Sequence, residues 1–221
     1  MDQRIVVIDF ETTGLSARAG DRAIEVAAVE VIDGQVGRHF ASLINPGVPV
    51  PSFITGLTGI TSAMVRSAPD SRAVMHGLAQ FVEDAPLVAH NAAFDAGFYG
   101  REMQLQGIDR ENPFLCSLRV ARRLYPRAQN HKLSTLADYV DIPMQGTYHR
   151  ALADADLTAR IFMTMCRDMR ARYGIRSLSV ELLERLQRVR VASADAWLTR
   201  VGHEQTVESP LCVRNVNLTN F

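Results

Sequence analysis

The chain has 221 residues, enough for one sizeable core and a small appendage, and its 47% hydrophobic content is that of an ordinary globular protein. Basic and acidic side chains balance at 24 each, so a non-specific polycation is excluded as a mode of nucleic-acid binding, while a local basic patch is not. Three separated cysteines (Cys116, Cys166, Cys212) with no CxxC pair argue against a zinc site and a disulfide framework and fit a reducing, cytoplasmic setting; no segment has the length of a membrane span.

Residues 4–9 read as a buried strand, and 23–32 and 36–44 as two more, joined by Asp33-Gly34, a strong hairpin signal. The Pro-, Gly-, Ser- and Thr-rich stretch 45–69 reads as loop with one short helical turn. Val74, Leu78, Phe81 and Val82 carry a helical period over 71–84, with Asp70 or Ser71 as cap. A short strand follows at 87–89, then helices at 93–105, 117–125, 133–139 and 150–169. Strands in hairpin order, followed by strand–helix alternation, predict an α/β fold with a mixed central sheet flanked by helices. After Gly174 the character changes, which divides the chain into a main domain over 1–174 and an appendage over 175–221. The appendage holds an amphipathic helix at 177–191, with a stripe of Leu178, Leu182, Leu183, Leu186 and Val189, and then a polar tail. The stripe suits either a docked partner or the chain's own core. Trp197 is expected to anchor the appendage.

Chemistry concentrates at three places. The first strand ends in Asp9-Phe10-Glu11-Thr12-Thr13-Gly14. Side chains two apart on a strand share a face, so Asp9 and Glu11 project together. Like charges that close are unfavourable without a cation between them, and hard divalent ions prefer carboxylate oxygen. The second place is His90-Asn91-Ala92-Ala93-Phe94-Asp95, directly after the strand at 87–89. Here Asn91 is expected to cap a helix whose first turn holds Asp95. The third is His149-Arg150-Ala151-Leu152-Ala153-Asp154-Ala155-Asp156, opening the long helix. His149 can take a proton from water near neutral pH. Asp154 and Asp156 point about 200° apart around a helix, so one of them at most joins a common site, and spacing alone leaves open which.

Together, Asp9-Phe10-Glu11-Thr12-Thr13-Gly14, His90 to Asp95 and His149 to Asp154 resemble the DEDDh family of 3′–5′ exonucleases, in particular those similar to the epsilon proofreading subunit of bacterial DNA polymerase III. Leu57-Thr58-Gly59-Ile60-Thr61 resembles a fourth family segment, near the terminal nucleotide. The resemblance covers residues 4–170 and implies a ribonuclease-H-like fold with a C-terminal helical appendage. It assigns the fourth acid to Asp154 and makes Asp9, Glu11, Asp95, His149 and Asp154 the catalytic set. The four carboxylates are then ligands of two divalent metal ions, Mg²⁺ or Mn²⁺, and His149 the general base. It also places Thr12 and Thr13 near the 3′-terminal sugar and Leu15 and Ile60 near the terminal base; the backbone from Thr12 through Gly14 to Leu15 suits a grip on that nucleotide, and Phe94 packs either near its sugar or in the core.

The function implied is removal of nucleoside 5′-monophosphates from the 3′ end of single-stranded DNA, in proofreading or repair, alongside a DNA polymerase or repair protein. An RNA-trimming enzyme of the same family and a non-catalytic polymerase-binding or nucleic-acid-binding partner are the competing readings. The stretch 119–132 has Arg119, Arg122, Arg123, Arg127 and Lys132 without an acid; it is the best local candidate for tracking a phosphate backbone, and a solvated helix face is the alternative.

Overall fold

The computed structural model describes residues 3–143 and 150–207. Five strands, β1 (Ile5–Thr12), β2 (Ala23–Ile32), β3 (Gln35–Leu43), β4 (Leu87–Ala89) and β5 (Phe114–Cys116), form one sheet in the order β3-β2-β1-β4-β5. β1, β2 and β3 run antiparallel as a meander, whereas β4 and β5 run parallel to β1. The sheet is therefore mixed, as predicted. The β2–β3 turn holds Asp33 at φ 51° and Gly34 at φ 74°, the two left-handed residues that a tight hairpin of this twist requires.

Alternation along β1 and β2 builds a core on each face. Ile5, Val7, Ala27, Val29 and Val31 face one cluster, and Val6, Ile8, Phe10, Val26 and Ala28 face the other. Over the second cluster lie α3 (Ser71–Val82) and α4 (Ala93–Leu105). Over the first lie α5 (Ser117–Leu124), α6 (Leu133–Tyr139) and the long α7 (Ala151–Tyr173). Asp70 caps α3 by accepting from the Ala73 N–H at 2.8 Å. Gly174 stops α7 at φ 69°, a left-handed position that glycine takes without strain.

The structure departs from the sequence reading in several places. β5 has only three residues, too few for a period to show, and its pairing partner β4 lies far away along the chain. The stretch 45–69 holds two short helices, α1 (Ser52–Thr58) and α2 (Ser62–Arg66), rather than one turn. The helix expected at 177–191 is shorter, α8 (Val180–Arg188), because Ser179 caps it through the Leu182 N–H. Part of the expected polar tail is helical: α9 spans Ala194–Val207. Residues 208–221 lie outside the described residues.

The leucine stripe lies against the chain's own core. Leu178, Leu182, Leu183 and Leu186 join α9's Leu198 and Val201 in the same cluster as α7. Trp197 packs partly buried on that cluster, with the Arg185 guanidinium 5.6 Å from its ring centre. Among the described residues no helix is long and apolar enough to cross a membrane.

Candidate active site

Asp9 and Glu11 sit near the carboxyl end of β1, on the face that α7 covers. They come from the same alternating set as Ile5 and Val7. The β1–β2 register shifts between Glu11 and Thr12, an irregularity that bends a strand end and re-aims its side chains. α7 delivers Asp154 from its first turn to the same place. Carboxylate oxygens of Asp9, Glu11 and Asp154 all lie within 4.8 Å of one another. Asp156 points elsewhere and pairs with Arg160 at 3.0 Å, one turn along the helix. Spacing left the choice between the two open, and tertiary packing decides for Asp154.

Asp95 arrives from the opposite face. It is buried in the first turn of α4, and its Oδ1 accepts from the Phe10 N–H at 3.2 Å. The cup thus straddles the end of the sheet, with two acids from the strand and one from the helix on each side.

Electrostatics show how unfavourable the bare cup is. Burial, then the charges of Asp95, Asp154, Glu11 and Glu25, push the Asp9 carboxyl well above the usual range. Glu11 is pushed up to about 7 by burial and by Asp154, Glu25 and Asp95, with Arg150 in partial opposition. Burial raises Asp95 as well, against the hydrogen bonds from backbone N–H groups. Hard oxygen donors crowded with uncompensated charge are what a divalent cation neutralises, so the residues present fit such an ion.

Two supports were not visible in the sequence. Glu25 of β2 stands opposite Glu11 in register. It is 6% exposed, holds Arg150 with both oxygens (Nη2–Oε1 2.7 Å; Nε at 3.2 Å) and accepts from the Ala151 N–H at 3.0 Å. Glu25 thereby caps α7 and fixes the turn that carries Asp154. Arg22 supports the loop after Glu11. Two hydrogen bonds join it to Thr13: the Thr13 N–H donates to its carbonyl (2.8 Å), and its own N–H donates to the Thr13 side-chain Oγ1 (2.9 Å). Its guanidinium meets the buried Glu102 carboxylate at 2.8 and 3.0 Å. Both pairs join residues distant along the chain, and neither has a local pattern to betray it.

Among the other expected site residues, Thr12 and Thr13 are buried, and the Thr12 hydroxyl donates to the Gly14 carbonyl at 2.6 Å. The hydroxyls thus hold the loop's shape. A Cβ on Gly14 would collide with the Asp21 carboxylate, which accepts from the Ser16 N–H at 2.9 Å. Leu15 is 82% exposed. Phe94 is partly buried, with its ring 4.9 Å from that of Phe98.

Ile60 does not reach a surface: it is 0% exposed, inside a small cluster with Ile24, Val50, Ile54 and Val65. The apolar surface of that region is instead Phe53 and Leu57, 64% and 48% exposed and one turn apart on α1. The expectation that Asn91 caps α4 through its side chain is also corrected. Asn91 takes φ 73°, the N-cap is Ala92, and no side-chain cap bond forms. His90 is structural: its Nδ1 lies 2.9 Å from Ser117 Oγ, its Nε2 lies 2.9 Å from the His131 carbonyl, and burial lowers its pKa. His149 lies outside the described residues.

The mixed sheet, its flanking helices and the acidic cup at the strand end define a ribonuclease-H-like nuclease. A family model described as Exonuclease (RNase_T) matches residues 6–162, and the chain belongs to that family, an enzyme of the 3′–5′ exonuclease class. It is 39% identical over 179 residues to a PolC-type DNA polymerase III of Caldanaerobacter subterraneus subsp. tengcongensis, a match covering 81% of this chain and 13% of that protein. A PolC-type DNA polymerase III of Bacillus subtilis is 39% identical over 171 residues, covering 76% of this chain and 12% of that protein. The chain therefore spans only about an eighth of the length of these relatives. Among solved structures, one described as exonuclease X in complex with 5′ overhanging duplex DNA superposes with a TM-score of 0.63 at 25% identity, covering 83% of this chain and 99% of that one. The nuclease domain of 3′hExo, a DEDDh family member, superposes with a TM-score of 0.65 at 22% identity, over 75% of this chain and 92% of that one.

Proposed function

We propose that this chain hydrolyses phosphodiester bonds one nucleotide at a time from the 3′ end of single-stranded DNA and releases nucleoside 5′-monophosphates. The observation that carries the proposal is the convergence of Asp9, Glu11 and Asp154 within 4.8 Å, with Asp95 against the same strand end. Asp9, Glu11, Asp95 and Asp154 would hold two divalent ions, Mg²⁺ or Mn²⁺. Such ions, when bound, neutralise charge on the scissile phosphate and acidify the attacking water.

The protein's own groups do the rest. His149 accepts the proton of the attacking water, a role matched to an imidazole pKa near neutrality. The Thr12–Gly14 loop, held from behind by Arg22, offers its backbone to the terminal nucleotide, and Leu15 and Phe94 offer apolar surface. Ile60 acts only from beneath that surface. Glu25 keeps Arg150 and the start of α7 in place, so that Asp154 reaches the cup.

The DNA polymerase III relatives favour DNA over RNA, and a setting of proofreading or repair in the cytoplasm beside a polymerase. The reading is tested with 5′-labelled oligonucleotides in Mg²⁺ or Mn²⁺. The expected result is a ladder that shortens from the 3′ end, stops at a blocked 3′ terminus and vanishes in EDTA. Cleavage that survives chelation would refute the metal-dependent mechanism, and faster turnover of a matched RNA would move the substrate class.

A further inference from the structure

We propose that the cavity between the start of α4 and α5 is a subsite for an internal phosphate of the nucleic-acid strand whose 3′ end occupies the acidic cup; the proposal rests on the exonuclease reading. The cavity has a volume of about 360 Å³, within the range of ligand sites. Its walls include Asn91, Ala92, Cys116, Arg119, Arg122 and Gln187.

Position is the first argument. β5 is second from β1 in the sheet, with β4 between them. Asp9 and Glu11 mark the carboxyl end of β1, Asn91 follows β4, and Cys116 ends β5. Neighbouring strands lie about 4.8 Å apart, so the end of β5 lies roughly 10 Å from the end of β1 along one edge. That distance suits a phosphate near the scissile bond and distinct from it. The carboxyl edge is also where open sheets with parallel strands place their ligands.

Charge is the second argument. Arg119 and Arg122 are exposed, and among the described residues no carboxylate lies within ion-pair distance of either. Both also act on the nearby Arg123 as like charges. This reverses the problem of the acidic cup: cations crowd where an anion would relieve them. The other basic residues of the stretch drop out. Arg123 is occupied, with Nε on the Val189 carbonyl at 2.7 Å and Nη1 on the Arg119 carbonyl at 2.8 Å. Arg127 and Lys132 do not line the cavity. The N-cap of α5, Cys116, makes no side-chain cap bond, so the positive end of that helix adds to the same field, whereas the first turn of α4 already carries Asp95.

The test compares wild type with Arg119→Ala/Arg122→Ala on two substrates in Mn²⁺. One is a single-stranded oligonucleotide, which reaches the cavity. The other is the p-nitrophenyl ester of thymidine 5′-monophosphate, which has one phosphodiester and cannot. The expected result is at least a tenfold fall in the ratio of kcat/KM for the oligonucleotide to that for the ester. It should come with a shallower salt dependence of the oligonucleotide KM, because each lost phosphate contact removes about 0.7 from the log–log slope on single strands. An unchanged ratio and slope would overturn the subsite and leave the exonuclease reading standing. A wild type that turns over neither substrate would overturn both.

Discussion

At the residue scale, the cup is a place where the fold works against itself, and a bound cation would relieve it. Asp9 and Asp95 are both raised by burial, and the neighbouring carboxylates add to the shift at Asp9. Asp9→Ala should therefore reduce cleavage to background while the metal-free protein melts higher, by about 2–4 °C for each kcal/mol of repulsion relieved. Calorimetry in EDTA beside a gel assay checks both halves; a lower melting temperature would contradict the charge-crowding account. His149→Ala should cost about 10²–10⁴ in rate, the usual loss for a general base, with the oligonucleotide KM little changed. Glu25 makes a different prediction because it positions Arg150 while its charge also adds to the crowding at Asp9 and Glu11. Glu25→Gln keeps the shape but removes the charge that holds Arg150, and Arg150 is 42% exposed. About 1–2 kcal/mol of stability should go, as for a charged hydrogen bond in partial contact with water. The concentration of Mn²⁺ needed for half-maximal rate should change as well, which a purely structural role far from the cup would not cause.

At the element scale, α7 is the carrier. Its small residues Ala151, Ala155 and Ala159 are fully buried and let it lie close on the sheet. Its first turn presents Asp154, and its far end meets α9. Gly202 of α9 sits so close to the Tyr173 carbonyl that a Cβ there would overlap backbone. Gly202→Ala should therefore push α9 off the end of α7 and cost about 1–3 kcal/mol, as overpacking does. Denaturant unfolding measures it, and a neutral outcome would mean that the helices can separate without loss. Because α8 and α9 complete the core around α7, the appendage is part of what holds the site.

For the whole molecule, pH dependence has two limbs of opposite sign. Glu30 lies between Arg4 (2.7 Å) and Arg38 (2.8 Å). The Arg38 hydrogen bond, aided by Arg4 and against some loss of hydration, lowers its carboxyl from 4.5 to about 2. A depressed carboxylate stabilises above its unfolded pKa, so this contribution is complete above about pH 4.5 and is lost as the pH falls through about 2. Glu11 behaves oppositely. Its raised pKa means that the folded state holds the proton more tightly, so the contribution is complete below about pH 4.5 and disappears as the pH rises through about 7. Guanidinium melts in EDTA should show stability falling at both ends. Glu30→Gln should flatten only the acid limb, and added Mg²⁺ should stabilise more at pH 8 than at pH 6, because protons no longer compete for the carboxylates. Equal Mg²⁺ effects at the two pH values would count against ion binding in the cup.

The sequence by itself determined what is written in short periods and local chemistry. The buried run ending at Asp9 and Glu11, the Asp33-Gly34 hairpin and the helices that carry Asp95 and Asp154 each rest on neighbours a few residues apart. Tertiary structure alone decided what depends on distant partners. It placed Glu25 behind Arg150 and Arg22 behind Thr13, buried Ile60, turned the leucine stripe inward and gathered Arg119 and Arg122 at one cavity. Local pattern fixes which way a side chain leaves its own helix or strand, whereas what it meets there is set by how those elements close on one another.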